Sequence, residues 1–317
     1  MSATQSAAKT PASHAEFDRI ATSAIPALRL HCYRLVGSLD DAEDMAQEAL
    51  TRAWRHRERV VDPERIRPWL YRIATNACLD LLDRRRRHPV TSIGHAADWP
   101  EPIPDPWLQG DTPRDPAQIV IQTESIDLAF LTAVRLLPPR QRAILVLQDV
   151  LGRSASDVAE ALGMTAAAVY SAIRRARGLV RSNTGDLRTL SRGQPDERAI
   201  ARRYLEAWNR ADVAGLADLL AEDARMAMPP DPQLFAGRSA IAAYFESILT
   251  EPAGRRVQLL PTNANGGPAF IVLSPNLPAG SAEPIGVKVL IVRDGHIAEI
   301  RGYMGASLAS RFCVHSR

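Results

Sequence analysis

The stretch Ile66–Arg87, IRPWLYRIATNACLDLLDRRRR, carries a packing face and a basic, aromatic face on one helix. Pro68 suits the first helical turn, where a missing N–H leaves nothing unpaired. Leu70, Ile73, Ala74, Ala77, Cys78 and Leu81 recur at helical spacing and form an apolar stripe. Trp69, Arg72, Asn76, Asp80, Asp83 and Arg87 fall on a second stripe rotated away from it. Aromatic rings stack on exposed bases at about 1–3 kcal/mol each and arginines neutralise phosphates, so this combination suits single-stranded nucleic acid. The alternative is an amphipathic helix whose Trp and Tyr belong to the core and whose RRRR tail is solvated. The rest of the chain decides between them.

At 317 residues the chain is long enough for two or three domains, and 46% apolar residues is ordinary for domains with real cores. No run approaches a membrane-spanning length, and Met1–Ser13 lacks the apolar stretch of a signal peptide, so a cytoplasmic protein is expected. Cys32, Cys78 and Cys313 are few and far apart, which argues against disulfides and against a CxxC metal or redox site; buried free thiols are expected, with no metal or cofactor motif. Net charge is +3 overall but uneven. Thr51–Val90 has eleven Arg against five acids, Thr91–Asp127 one against seven, Leu128–Arg188 nine against four, and Pro195–Arg317 thirteen basic residues against thirteen acidic. Two basic modules flanking an acidic linker point to nucleic-acid contact by those modules and not by the last.

Upstream, Glu16–Gly37 and Ala42–Arg57 read as helices separated by a turn at Ser38-Leu-Asp-Asp. On the second helix Met45, Ala49 and Ala53 share a side with Leu50 and Trp54, while Asp41, Asp44, Gln47, Glu48 and Thr51 line a mostly acidic face. The helix macrodipole accounts for acids in the first turn but not for Glu48. HCYRLVGSLDDAEDMAQEALTRAWR followed by PWLYRIATNACLDLLDRRRR resembles region two of an extracytoplasmic-function sigma factor, the promoter-recognition subunit of bacterial RNA polymerase. The resemblance implies that Asp41, Asp44, Gln47 and Glu48 contact core RNA polymerase, and that Val60–Arg67 is a loop capturing a flipped base. It also places Arg65, Arg67, Trp69, Tyr71, Arg72, Asn76, Arg84 and Arg85 at the minus-ten promoter DNA.

His88–Thr123 carries seven prolines, so helices cannot run through it. WPEPIPDPW at Trp99–Trp107 should be extended or turn-like, either a spacer or a segment whose two tryptophans anchor on a neighbouring domain. A similar proline-tryptophan motif occurs in sigma factors of this kind that bear a carboxy-terminal extension. Ser125–Ser182 is helical again, with an apolar stripe of Ile126, Phe130, Ala133, Val134 and Leu137 ending at Pro138-Pro139. ASDVAEALG, capped by Ser154 or Ser156, then a turn at Met164-Thr165, then AAAVYSAIRRARGLV, is a helix-turn-helix pattern. Its second helix would enter the major groove with Val169, Ile173 and Ala176 inward. With LLPPRQRAILVLQDVLG before it, the segment resembles region four of the same family. That resemblance puts Thr165, Tyr170, Ser171, Arg174, Arg175 and Arg177 at the minus-thirty-five DNA, with Tyr170 standing where a basic or amide residue is usual.

After a polar boundary at Asn183–Gln194 come helices over Glu197–Arg210, Val213–Ala221 and Ala240–Leu249. Strands are expected at Arg225–Met228, Arg256–Leu260, Ala269–Ser274, Ile285–Val292 and His296–Met304, the last two joined by an Asp294-Gly295 hairpin turn. YLEAWNRADVAGLADLLAEDARMAMPP, FAGRSAIAAYF and VLIVRDGHIAEIRGY resemble the SnoaL-like group of nuclear transport factor two-like cone folds. Tyr204, Trp208, Met228, Phe245 and Tyr303 would line a pocket able to take a small ligand, with Asp231 or His296 as polar members. A regulatory role is expected in preference to catalysis, since fold alone never establishes activity.

The expected chain is multidomain: all-α region two (14–88), an acidic Pro/Trp linker (89–123), all-α region four (124–183) and an α+β cone domain (195–317). It acts as a sigma factor, not an enzyme, with core RNA polymerase and promoter DNA as partners and no membrane association. The other classes are a helix-turn-helix regulator with a ligand-sensing cone, and a cone-fold enzyme fused to a DNA-binding module. The first leaves DAEDMAQE and the Trp-Tyr helix without work. Promoter sequences, inducing signal and any anti-sigma partner stay unnamed.

Overall fold

The computed structural model describes residues 14–60, 62–88, 99–110, 128–184, 195–229, 231–251, 256–275 and 282–313. Expectations for linker residues 89–98 and 111–127 and for boundary residues 185–194 lie outside these. The chain divides into two compact units, the first holding residues 1–90, 107–121 and 133–183, the second 91–106, 122–132 and 184–317.

The first unit opens with α1 (His14–Val36), α2 (Leu39–Arg55) and α3 (Pro63–Arg87). Helix α3 begins earlier than its periodicity suggests. Asp62 caps it by accepting from the Glu64 N–H at 3.1 Å, and Pro63 takes the first-turn position that Pro68 was expected to hold. Pro68 therefore sits inside the helix, and most of the expected base-capturing loop, Pro63–Arg67, is helical. Ile66, Leu70, Ala74, Ala77 and Cys78 are buried with Leu28, Cys32 and Leu35 of α1, and both thiols are free.

His31 is a fully buried polar member of this core. Thr75 donates its hydroxyl to the Tyr71 carbonyl at 2.7 Å, so its oxygen can only accept from His31 Nε2–H at 2.8 Å. The ring is the neutral Nε2–H tautomer. Burial, then repulsion by Arg34 and Arg153, pushes its pKa down to about 3. The unfolded chain binds this proton near pH 6.5 and the folded chain does not, so the stabilisation is whole above that pH and drains away as pH falls toward 3. A melting series from pH 7 to pH 4 should show falling stability, and His31→Gln should flatten the part of the slope due to this residue.

Helix α4 (Leu128–Arg135) is shared, its residues up to Thr132 counting with the second unit and those from Ala133 with the first; in the first unit α5 (Pro139–Leu145, running into a π turn at Val146–Val150), α6 (Ala155–Leu162) and α7 (Ala166–Thr184) follow. Arg142, buried, donates to the Leu35 carbonyl of α1 at 2.5 Å and to the Arg135 carbonyl at 2.9 Å, while Arg135 donates to the Val36 carbonyl. These arginines satisfy carbonyls that the end of α1 leaves without helical partners. Ser154, not Ser156, caps α6 in a reciprocal capping box with Asp157, and Gly163 ends it at φ +63°. Thr165 Oγ1 accepts from the Ala168 N–H at 3.2 Å, starting α7. Within this unit Arg29 also lies 4.1 Å over the Trp107 ring.

The second unit holds α8 (Pro195–Arg210), α9 (Val213–Asp218), α10 (Arg238–Leu249), α11 (Ala306–Cys313) and a six-stranded sheet. Its strands are β1 (Leu220–Met228), β2 (Asp231–Ala236), β3 (Gln258–Ala264), β4 (Gly267–Leu273), β5 (Pro284–Arg293) and β6 (His296–Met304). They lie in the order β2-β1-β6-β5-β4-β3, with β1 and β6 parallel and the other pairs antiparallel. Helix α9 stops at Asp218 instead of Ala221 and the chain is already a strand at Leu220; β2 and α11 were not foreseen. Asp294-Gly295 forms the expected turn with φ 51° and 74°, and Asn265-Gly266, unforeseen, uses the same chemistry at 55° and 76°.

The proline segment is irregular over Trp99–Pro104 and docks on this sheet, but against the expectation of no helix it then closes into a 3-10 helix over Asp105–Gly110, a turn tight enough to admit Pro106. Asn265 exchanges two hydrogen bonds with Ile103, side chain accepting at 3.0 Å and N–H donating at 2.9 Å, and Asp105 accepts from the Gly266 N–H at 2.9 Å. The Trp99 ring lies 5.0 Å from the Arg301 guanidinium.

Candidate functional site

On α2 the alanines Ala42, Ala46, Ala49 and Ala53 are buried, which turns Asp44, Gln47 and Thr51 outward. Glu48 accepts from Arg52 at 2.7 Å, and Arg52 reaches Asp80 of α3 at 3.5 Å. Asp41 stands apart from the exposed strip, held by both terminal nitrogens of Arg85 at 2.6 and 2.7 Å. That pair also turns the Arg85 guanidinium toward α2. Trp54 closes the strip at 55% exposure, with Arg57 stacked 4.3 Å from its ring. It was expected on the packing side, but the small alanines fill that side without it.

On α3 the two aromatic residues divide. Tyr71 is 6% exposed and packs edge-on against His31 at 5.1 Å, so it is mainly core, whereas Trp69 is half-buried with its ring 6.5 Å from Phe17. Arg65, Arg72, Arg84 and Arg85 are exposed, Asn76 is half-buried, and Arg67 donates to Ser23 at 3.1 Å. Arg65, Trp69, Tyr71 and Arg72 line a groove of about 640 Å³ together with Arg153 and Glu160. The Arg72–Glu160 pair is 3.9 Å apart with side chains 48% and 75% exposed, so it is worth under ~1 kcal/mol and releases Arg72 cheaply.

On α7, Val169, Ile173 and Ala176 are buried as the pattern requires, leaving Tyr170 63% exposed with Arg174 and Arg175 beside it. Arg175 donates to Ser171 at 2.7 Å. Arg177 is drawn back onto Asp149, at 2.6 and 3.0 Å, and Thr165 is committed to its cap.

In the second unit Tyr204, Trp208, Phe245 and Phe270 form an aromatic cluster, Tyr204 stacking on Trp208 at 6.1 Å and on Phe270 at 5.6 Å. Met228 adjoins it, its sulfur accepting from the Tyr244 hydroxyl at 3.3 Å. Tyr303 does not join them. It pairs with Val287, one residue out of phase with the Lys288–Gly302 pair on the cluster's face, so it points to the opposite face beside Arg301. His296 is exposed on its turn, and Asp231 lies on β2. Among the described residues, no cluster of His, Cys, Asp and Glu could hold a metal ion, and no helix is long and apolar enough to cross a membrane.

Three family models match: Sigma-70 region 2 at residues 21–88, Sigma-70, region 4 at 127–179, and SnoaL-like domain at 201–300. The ECF RNA polymerase sigma factor SigG of Mycobacterium tuberculosis is 35% identical over 303 residues, taking in 90% of this chain and 80% of that one. The chain belongs to the extracytoplasmic-function sigma factors. Another relative, SigJ of the same species, is 32% identical over 208 residues, covering 63% of this chain and 62% of that one. The crystal structure of SigJ matches with TM-score 0.66 at 23% identity, over 92% of this chain and 97% of that one, and so shares the fold.

As an alternative sigma factor the protein binds core RNA polymerase and promoter DNA and directs transcription initiation. Sigma factors of this family are not enzymes, and neither is this one. Two residues of this sigma factor escaped the sequence reading. Trp54 was assigned inward from periodicity alone. Lys288 carries a plain signal, a single charge inside the apolar run IGVKVLIV.

Proposed function

We propose that the sigma factor divides its work among four segments: 14–88 for polymerase and the minus-ten element, 89–123 as linker, 124–183 for the minus-thirty-five element, and 195–317 for regulation. The face of α2 bearing Asp44, Gln47, Glu48 and Trp54 docks on a basic surface of core polymerase, and Asp41 supports it through Arg85. Trp69, Arg65, Arg72, Asn76 and Arg84 meet the melted strand, with Tyr71 holding the helix from within the core. Tyr170, Ser171, Arg174 and Arg175 read or position the minus-thirty-five duplex, and Arg177 braces the module. The protein works where polymerase and DNA are, in the cytoplasm.

The observation that carries this reading is the placement of an acidic strip and an aromatic-basic strip on two packed helices, each facing outward. Opposite charges cannot both serve one polyanion, so two partners are needed. The linker's docking on the sheet supports the regulatory part, because it ties the acidic segment to the cone domain.

Arg174→Ala is the direct test on the minus-thirty-five side. Holoenzyme carrying it should bind promoter DNA more weakly and lose about one unit from the slope of log affinity against log salt if the contact is to phosphate. An unchanged affinity and slope would remove Arg174 from the interface.

A further inference from the structure

The chain has 37 Arg and two Lys, Lys9 and Lys288. Arginine stays charged at any working pH, whereas a lysine amine can release its proton and become a nucleophile. Lys288 is 9% exposed on the inward face of β5, flanked across the strands by Phe270 and Gly302. Its Nζ lies 3.9 Å from the centre of the Trp208 ring, 5.7 Å from that of Tyr204 and 6.0 Å from that of Phe245. The Tyr204 hydroxyl is 3.3 Å away, and among the described residues no carboxylate pairs with the amine.

An ammonium so placed has lost its water and keeps only the ring faces and the Tyr204 hydroxyl as partners, which offset part of the cost of burial. Burial pushes its pKa down to about 7, so near neutrality much of it is uncharged with an available lone pair. Burial raises the pKa of the Tyr204 phenol, which therefore stays protonated as a hydrogen-bond donor. Across the strand from Lys288, a side chain at Gly302 would meet Met228 at 3.5 Å, so Met228 packs over the glycine, and it is only partly buried. An unbranched thioether is the wall most able to move aside.

We propose that Lys288 is a carbonyl-capture site, condensing with a small apolar aldehyde or ketone in the cone interior. The amine lone pair adds to the carbonyl carbon and a proton passes from nitrogen to oxygen, with the Tyr204 hydroxyl orienting that oxygen. The carbinolamine then loses water to leave a C=N bond at Nζ. One carbonyl and one amine give one imine and one water, so no oxidant or reductant is needed. Aromatic walls that exclude water oppose hydrolysis. An uncharged amine among rings suits a neutral apolar carbonyl better than an anion, which would need several donors. The site stands whether or not the cone domain regulates transcription.

The test treats the full-length factor with hexanal and sodium cyanoborohydride at pH 7, with N-acetyl-lysine present as a reference amine, followed by peptide mass mapping. One hexyl group is expected on Lys288, formed at least ~10-fold faster than on the reference, whose pKa is about 10.4 and whose neutral fraction at pH 7 is far smaller. A Lys288 left unlabelled, or labelled no faster than the reference, overturns the proposal. Lys288→Met should melt cooperatively and leave that peptide unmodified; label persisting on it would equally overturn the assignment. Run-off transcription with labelled and unlabelled factor is a separate readout: label with no change in transcript retains the capture site and tells only against a regulatory link.

Discussion

Arg301→Met is expected to destabilise the second unit by about 3–5 kcal/mol, the usual consequence of leaving one partner of a buried ion pair alone. Arg301 has a side chain 5% exposed and holds Glu299 through Nε at 2.6 Å and a terminal nitrogen at 3.2 Å. Its other terminal nitrogen donates to Thr132 Oγ1 at 3.0 Å and to the Leu128 carbonyl at 3.3 Å, and the guanidinium lies over the Trp99 ring, 5.0 Å from its centre. One planar group thus ties β6 to the start of α4 and to the proline segment. Lysine could not replace it, because a point charge with three donors cannot hold a carboxylate bidentately and present a flat face to a ring. Urea unfolding followed by tryptophan fluorescence should show an earlier transition, and protease cleavage near Trp99 should quicken. A midpoint within error of the parent would mean that the contacts around Arg301 do not bear on the unit's stability.

The double substitution Asp44→Arg with Glu48→Arg is expected to weaken binding to core polymerase by roughly 100-fold or more, since like charges brought together at an interface cost several kcal/mol. Asp44 is exposed and Glu48 half-buried on a helix whose packing side consists of alanines, so the fold should tolerate the change. Free Arg52 would retain Asp80. A native gel with core polymerase measures the effect, and circular dichroism checks that the helices persist. A shift of less than threefold would place the polymerase contact elsewhere on the factor.

Periodicity made the helices of the first unit legible, because alanine and leucine spacing on α2 and α3 is set by packing and little else. It misplaced Pro68 because two prolines five residues apart both suit a first turn, and only the Asp62 cap distinguishes them. Trp54 was misread for a related reason: a large apolar residue was assumed to be buried, although Ala49 and Ala53 already close the core beneath it. On the cone side, resemblance supplied the architecture but not the strand phase. Tyr303 was placed in the pocket from its type, and the pairing of β5 with β6 turns it away. The contacts of Arg85 and Arg177 with Asp41 and Asp149 join residues 44 and 28 positions apart, which no local pattern encodes.

This chain turns core RNA polymerase into a promoter-specific enzyme. Run-off transcription with purified core polymerase, on promoters selected from a genomic library, tests it most directly. Transcripts of defined start should appear that require both core and factor and that vanish with the Asp44/Glu48 charge reversal. Specific binding of the factor alone to duplex DNA, with no transcript on adding core and no core–factor complex, would contradict it.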